Sequence, residues 1–411
     1  MNNTAELAAW LGGRDDAAGL IDRLLTAGLA GHDLPELVAM AAEGLCALGL
    51  PLLRMHASAS TLHPVYGALS QTWERRLGSI APALHPRANN DLPIWQRSPF
   101  FHMLQRRLTI LRQRLDRPAD PDFAVYQDLR EQGGTDYYAR LVGFERAAET
   151  ETRAGVVYSF VAEGKPGFDA ADLALIEAVL PALSLAIRSI ASERIAAGLL
   201  ETYVGRDAGR RVLAGQIERG QVLALPAVIY LADLRGFTAL AQAMPGKALV
   251  TLLDDYLERM AMPVLNRGGE VLKFLGDGLL GVFPIPADGS TEAACLAALA
   301  AAEDALAQAQ AFNALRLAAG QPHLDLDLVL HRGEVLYGNV GTANRLDFTV
   351  IGPAVNEAGR IEALCAPLGR NLLLSEAFVD AAPSLAGRLR PLGQQALRGL
   401  PGRYALYALA E

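Results

Sequence analysis

Apolar and polar positions repeat with two different periods along this chain, and the changes of period divide it. Residues 20–30 and 34–48 place apolar side chains at helical spacing, which predicts two amphipathic helices. Residues 154–161 form a β-branched and aromatic run that predicts a strand. Gly164-Lys-Pro-Gly-Phe then makes a turn, and Asp169 stands where the N-cap of a long apolar helix belongs. Residues 193–222 keep a helical pattern but carry Gly198, Gly205, Gly209 and Gly215, each costing a helix about 1 kcal/mol relative to alanine. This stretch reads as a short dimer-forming helix broken near Gly205, or as a plain linker.

From residue 223 onward strands and helices alternate. Residues 227–232 form an apolar strand, and 238–243 and 247–266 are helices, the second with Pro263 kinking its last turn and Gly268 at its C′ position. Residues 270–275 and 279–283 are two strand-like runs around Gly276-Asp277-Gly278, and Asp-Gly between such runs signals a hairpin. A helix at 291–317, a half-exposed strand at 324–330 that alternates Leu and Asp, a strand at 334–340 and a helix at 354–365 complete the pattern. The order is β-α-α-β-β-α-β, close to a ferredoxin-like split βαβ plan with additions. The expected class is α+β. The expected division is a mixed α/β region over 1–192, a helical connector over 193–222 and a C-terminal domain over 223–411.

Composition narrows the function. The chain has 411 residues, 51% of them hydrophobic, and a net charge of −8. There is no basic surplus to hold nucleic acid. Cys46, Cys295 and Cys365 lie far apart in apolar helical patterns, so buried free thiols are expected rather than a disulfide framework, which favours the cytosol. The first residues lack a basic segment followed by an apolar run, so no signal peptide is expected. The apolar stretch 170–190 is interrupted by Asp172, Glu177, Pro181 and Arg188 and reads as too short and too polar to span a bilayer. A cytoplasmic protein without membrane contact is expected. His56, His63, His85 and His102 show no metal-ligand spacing, and the Leu-His-Pro triplets at 62–64 and 84–86 read as turns.

The chemistry concentrates in two segments, Asp233-Leu-Arg-Gly-Phe-Thr and Lys273-Phe-Leu-Gly-Asp-Gly. Asp233 ends a buried strand, where an unpaired carboxylate is costly and a cation relieves the cost; an N-cap role is the plain alternative. Asp277 sits in a hairpin turn, where aspartate is also common for backbone reasons. Together, at the ends of neighbouring strands, the two acids suit two metal ions beside a polyphosphate, and oxygen ligands favour Mg²⁺ or Mn²⁺. Gly236-Phe237-Thr238 opens a helix whose free amides can hold phosphate.

With Asp347-Phe-Thr-Val-Ile-Gly-Pro-Ala-Val-Asn-Glu-Ala-Gly-Arg-Ile-Glu, these segments resemble, in order and spacing, the catalytic domain of class III adenylate cyclases. The strand, turn, Phe168-Asp169 and helix before the connector resemble the end of a GAF-type sensor domain. The cyclase resemblance implies that Asp233, Asp277 and the Leu234 carbonyl hold two metal ions in one subunit of a homodimer. It implies that Lys273 and Thr349 read the adenine of ATP, and that Asn356 and Arg360 orient the ribose and stabilise the transferring phosphate. Threonine at 349 is typical of a subgroup reported as bicarbonate-responsive. Arg345 is a phosphate contact or a surface residue. Leu400 stands where some members carry a triphosphate-binding lysine, which leaves Arg398 as the candidate. Two competing readings are a cyclase for another base and a non-catalytic nucleotide-binding protein.

Overall fold

The computed structural model describes residues 16–61, 65–87, 92–119, 121–144, 155–286 and 291–410. The triplet 62–64 with His63, the first residues and Ala154 lie outside that set. The chain divides into two compact units, Met1–Leu199 and Leu200–Glu411.

The N-terminal unit comprises α1 (Ala17–Leu29), α2 (Leu34–Ala47), β1 (Leu52–Ser60), β2 (Tyr66–Glu74), β3 (Gly78–Ser79), β4 (Ala83–Pro86), α3 (Pro93–Gln96), α4 (Pro99–Arg106), β5 (Ile110–Arg114), α5 (Ala124–Glu131), β6 (Gly134–Gly143), β7 (Gly155–Glu163) and most of α6 (Ala170–Val204). The strands make one sheet in the order β3-β2-β1-β7-β6-β5, with β4 on β2. One core packs Leu20, Leu24, Leu37, Leu45, Ile176, Leu183 and Ile187 from α1, α2 and α6 against Met55, Tyr158 and Phe160 of the sheet. A smaller core holds Met103, Tyr126, Leu129, Tyr137 and Val161. Asp33 and Glu36 form a capping box that starts α2, and Asp169 with Asp172 exchanges backbone bonds of 2.8 and 2.9 Å at the start of α6.

Two expectations change here, and one holds. The apolar stretch at 170–190 is part of a continuous 35-residue helix, long and apolar enough to cross a membrane by length and composition. It spends much of its apolar surface on the core, through Val179, Leu183 and Ile187. The triplet 84–86 lies in strand β4 rather than a turn, because its backbone pairs with β2. Of His56, His63, His85 and His102, the three that are described bond or stack internally: His56 with Thr72 at 2.8 Å, His85 with Ser70 at 2.7 Å and His102 edge-on to Phe123.

The C-terminal unit begins with the end of α6, then α7 (Arg206–Leu213), β8 (Val222–Arg235), α8 (Phe237–Ala243), α9 (Gly246–Asn266), β9 (Glu270–Leu275), β10 (Gly278–Pro284), α10 (Thr291–Ala318), β11 (Asp325–Thr342), β12 (Arg345–Ile351), α11 (Pro353–Glu362), β13 (Leu372–Ser375), α12 (Glu376–Asp380), a 3₁₀ turn (Pro383–Arg388), β14 (Leu389–Gln395) and β15 (Tyr404–Leu409). The helical connector breaks at Gly205, as expected. The sheet order is β14-β15-β13-β11-β8-β10-β9, with β12 on β11. Its β11-β8-β10-β9 part is antiparallel throughout, whereas β13 runs parallel to β11.

Strand alternation sorts β8 between two cores. Val228, Tyr230, Ala232 and Leu234 face α9 and α10, packing with Tyr256, Met260 and an alanine-rich stripe that includes Ala298, Ala302 and Ala305. Ala227 and Ile229 face the other way, toward Ala354, Ala358 and Ile361 of α11. Residues 324–330 and 334–340, expected as two strands, are one 18-residue strand, because Gly333 continues the register opposite Ala227.

Candidate active site

The odd-numbered face of β8 is apolar at Ala227 and Ile229 and turns charged at its end, with Asp233 and Arg235. Asp233 pairs across the ladder with Asp327 of β11. The β9–β10 hairpin brings Asp277 to the same place. Gly278 pairs with Leu275, so the connecting residues are Gly276 and Asp277, and the positive φ of +73° falls on Gly276. The turn is therefore Gly-Asp, with the aspartate following the glycine that bends the chain, rather than the Asp-Gly turn expected. Gly278 matters by closeness: a Cβ there would sit 2.7 Å from Asp233 Oδ1 and would also strike the Ala232 carbonyl. Only a residue without a side chain lets the hairpin lie against the end of β8.

The acids affect one another. Burial, then the charges of Asp277 and Asp327, push the Asp233 carboxyl up to about 6, while the Leu234 amide favours its ionised form. Glu362, the last residue of α11, is pushed up to about 7 by burial and then by Asp233, Asp327 and Asp277, with Arg235 opposing. Burial also raises Asp327, against the pull of Arg235. Arg235 grips Asp327 with two N–H donors, one at 2.9 Å, and donates to the Arg370 carbonyl at 3.3 Å. Asn371 adds bonds of 2.9 Å to the Leu326 carbonyl and 3.4 Å to Asp327. With Asp325 also 3.7 Å from Arg235, one guanidinium stands among five carboxyl groups, and the surplus is negative.

That surplus is the test for metal. Among the described residues no group of three or more acid, histidine or cysteine side chains is placed to hold a metal ion. The donors are all oxygen and the set is open, which fits a hard divalent cation that keeps positions for phosphate and water. Asp233 and Asp277 are the carboxylates that could hold such an ion.

Apart from Gly236, Phe237 and Thr238, the other expected residues sit on elements other than β8 and the β9–β10 turn. Lys273 on β9 is exposed and ion-paired with Asp347 on β12. Thr349, two residues further along β12, points to the same side as Asp347. Asn356 and Arg360 are exposed, one turn apart on α11, whose inner face packs through Ala354, Ala358 and Ile361. Gly236, Phe237 and Thr238 start the seven-residue α8 beside Asp233. Arg345 opens β12, exposed, with its amide on Thr342 Oγ1 at 3.1 Å. Arg398 is exposed in the turn between β14 and β15, and Leu400 beside it packs into the core. Among the described residues, no hydrogen bond or ion pair joins Lys273, Thr349, Asn356 or Arg360 to Asp233 or Asp277. Asp233, Asp277, Asp327 and Glu362 act on one another, while Lys273 pairs with Asp347.

Residues 225–410 match the family model for the adenylate and guanylate cyclase catalytic domain. These residues form a class III nucleotidyl cyclase catalytic domain. The cyclase domain is 35% identical over 164 residues to an adenylate cyclase of Anabaena cylindrica, covering 40% of this chain and 32% of that protein. It is 29% identical over 169 residues to adenylate cyclase 1 of Rhizobium meliloti strain 1021, covering 41% of this chain and 25% of that one. The chain thus spans about a third or less of the length of these relatives. Among solved structures, the adenylyl cyclase CyaB of P. aeruginosa aligns at 26% identity with a TM-score of 0.42, over 46% of this chain and 96% of that one. The guanylyl cyclase Cya2 aligns at 25% identity with a TM-score of 0.40, over 46% and 93%.

Sequence reasoning missed Arg235, Asp327 and Glu362. The Leu-Asp alternation at 324–330 read as a strand with solvent on its acidic side, yet Asp327 is only 3% exposed. Its partner lies 92 positions away, beyond any local pattern. The signal available was Arg235 itself, two residues from Asp233 on the same face of a strand.

Proposed function

We propose that the cyclase domain is an adenylate cyclase that converts ATP to 3′,5′-cyclic AMP and pyrophosphate. The observation that carries this reading is the carboxylate of Asp233, held at a strand end against Asp277 in a site with surplus negative charge. Asp233, Asp277 and the Leu234 carbonyl hold Mg²⁺ or Mn²⁺. Two such ions, when bound, polarise the ribose 3′ oxygen and neutralise the triphosphate.

The chain's own side chains do the positioning. Lys273 Nζ donates to the adenine N1 acceptor; guanine carries a proton at N1 and is mismatched. Thr349 accepts from the adenine amino group. Asn356 orients the ribose, and Arg360 offers parallel donors to the phosphate oxygens. The amides of Gly236, Phe237 and Thr238, with Arg345 and Arg398, take the remaining phosphate charge. Asn356 and Arg360 are exposed and, among the described residues, make no bond to Asp233 or Asp277 of their own chain, which supports a homodimer with two shared sites. In it, each copy brings its acids to the other's Lys273, Thr349, Asn356 and Arg360. The strand, turn and capped helix at the end of the N-terminal unit support a GAF-like regulatory role, and Thr349 supports a response to bicarbonate. A guanylate cyclase is the competing reading, and Lys273 opposes it.

Purified protein incubated with Mg²⁺ or Mn²⁺ and each nucleoside triphosphate, with products identified by mass spectrometry, tests the activity. Cyclic AMP as the main product is expected; a different cyclic nucleotide, or none, rejects the reading. Mixing Asp277→Ala with Arg360→Ala subunits tests the shared site. Partial recovery of activity is expected, and no recovery despite demonstrated subunit exchange overturns it.

A further inference from the structure

The N-terminal unit contains a cavity that the cyclase chemistry does not use. Its volume is about 140 Å³, and it lies between the end of β1, the neighbouring β2 and one face of α6. Helix α6 turns Ile187, Ile190, Ala191 and Arg194 toward it, positions one turn or two apart on one face. Ala59 and Leu69 close it from the sheet. The space has a simple origin. Elsewhere in this core, Met55, Trp73, Tyr158 and Phe160 fill the interval between sheet and helices. At the cavity, Ala59 and Ala191 put two of the smallest side chains on its walls.

Three properties define what fits. An apolar cavity of roughly 150 Å³ stays free of water and accepts a molecule the size of benzene. The lining is predominantly aliphatic, so the body of the ligand must be apolar. Arg194 is exposed and has no hydrogen bond or ion pair among the described residues. A guanidinium in that position matches a carboxylate.

We infer that this cavity is a binding site for a small monocarboxylate whose apolar body is about the size of one aromatic ring. The body fills the space between Ala59, Leu69, Ile190 and Ala191, and the carboxylate pairs with Arg194 at the mouth. The volume matches a body of about one ring, and a lining in which, among the described residues, Thr61, Tyr66 and Arg194 are the only polar residues disfavours a sugar or a nucleotide. The site lies on the helix that continues to Val204 and is independent of the reading of the catalytic domain.

The test uses the full chain and three probes: phenylacetate, its uncharged counterpart phenethyl alcohol, and acetate as the head group alone. Calorimetry measures affinity, and NMR of methyl-labelled protein locates the ligand. Phenylacetate is expected to bind saturably, with contacts to the methyls of Ile187 and Ile190, and acetate is not expected to bind. Phenethyl alcohol should bind about two- to five-fold more weakly, the scale of one exposed ion pair. Arg194→Ala should reduce phenylacetate to the level of phenethyl alcohol and leave the alcohol unchanged. Ala191→Leu, which fills the space, should abolish binding of both. Absence of saturable binding, ligand contacts away from the isoleucines, or undiminished binding by folded Ala191→Leu overturns the inference. Should that variant fail to fold, the methyl contacts in the unsubstituted chain decide the matter.

Discussion

The two faces of the C-terminal sheet are made by the same strands and do different work. Toward α9 and α10 the face is apolar from end to end: Val228, Tyr230, Ala232 and Leu234 of β8 meet Leu326, Leu328 and Leu330 of β11. Toward α11 it is apolar only at one end, with Ala227, Ile229 and Val329, and then carries Asp233, Arg235 and Asp327. The first face needs only to exclude water. The second holds carboxylates under mutual repulsion, and that arrangement persists because the first face supports it. The charged groups are thus separated from the packed apolar face by a single step of strand alternation.

The sharpest break of that comparison is a pair of substitutions on the two faces. Asp233→Ala or Asp277→Ala should lower cyclase turnover by at least about 100-fold, the scale of losing one placed electrostatic group. Metal-free stability should hold or rise, since a repelling charge is gone. Leu328→Ala, at 0% exposure on the opposite face, should instead cost about 2–5 kcal/mol in urea denaturation. Substantial residual turnover in the aspartate variants, or equal destabilisation from both kinds of change, would erase the distinction between the faces.

Next in size is the Arg235–Asp327 pair. Arg235→Ala leaves a buried carboxylate with only a weak bond from Asn371. The side chain of Arg235 is 31% exposed and that of Asp327 5%, so the pair lies between the buried and surface classes. A loss of about 2 kcal/mol follows. Arg235→Met combined with Asp327→Leu should recover most of it, because the pair then becomes ordinary apolar surface of the second core. A double variant as unstable as the single one would mean that Arg235 acts through something other than its buried partner.

The legibility of this molecule follows the same division. Strand β8, the β9–β10 runs, helices α9 and α10 and both acids were readable because each is encoded locally, by an apolar run bounded by glycine or by an acid at its end. Strand β11 was not. Residues 324–330 and 334–340 read as two strands, but Gly333 pairs with Ala227 in continuous register, and Ala354 of α11 crowds the position a side chain would take there. Asp327 read as solvent-facing because alternation reports which residues share a face and not what covers that face. Glu362 was read only as the end of the motif carrying Asn356 and Arg360; its proximity to Asp233 depends on how α11 crosses the sheet. Pairing also decided β4, whose Leu-His-Pro looks like a turn and becomes a strand only because β2 offers it a partner.

Lys273 sharpens the comparison at the rim of the charged face. Its ion pair with Asp347 ties β9 to β12 and orients the ammonium. Lys273→Ala should remove about 1–3 kcal/mol of discrimination between ATP and GTP, the worth of one well-placed contact to a base edge. Competition between the two triphosphates measures it. Unchanged selectivity would assign the lysine a purely structural pairing with Asp347.

The smallest effect concerns the apolar end of that face. His331 follows Val329 on the same side of β11, is 5% exposed, and bonds Ser375 through Nδ1 at 2.9 Å. Burial pushes its pKa down to about 4. In the unfolded chain it titrates at its ordinary value near 6.5. Between those values the unfolded state binds the extra proton and the folded state does not, so stability rises with pH across this window and is lost as pH falls through it. One proton gives a slope of at most about 1.4 kcal/mol per pH unit, and Glu357, 3.4 Å from Nε2, reduces it by favouring the charged ring. Urea denaturation of the full chain at a series of pH values should therefore show a shallower pH dependence in His331→Gln than in the parent. An unchanged slope would mean that this end of the face is wet, and that the charged character seen at Asp233 extends along the whole strand.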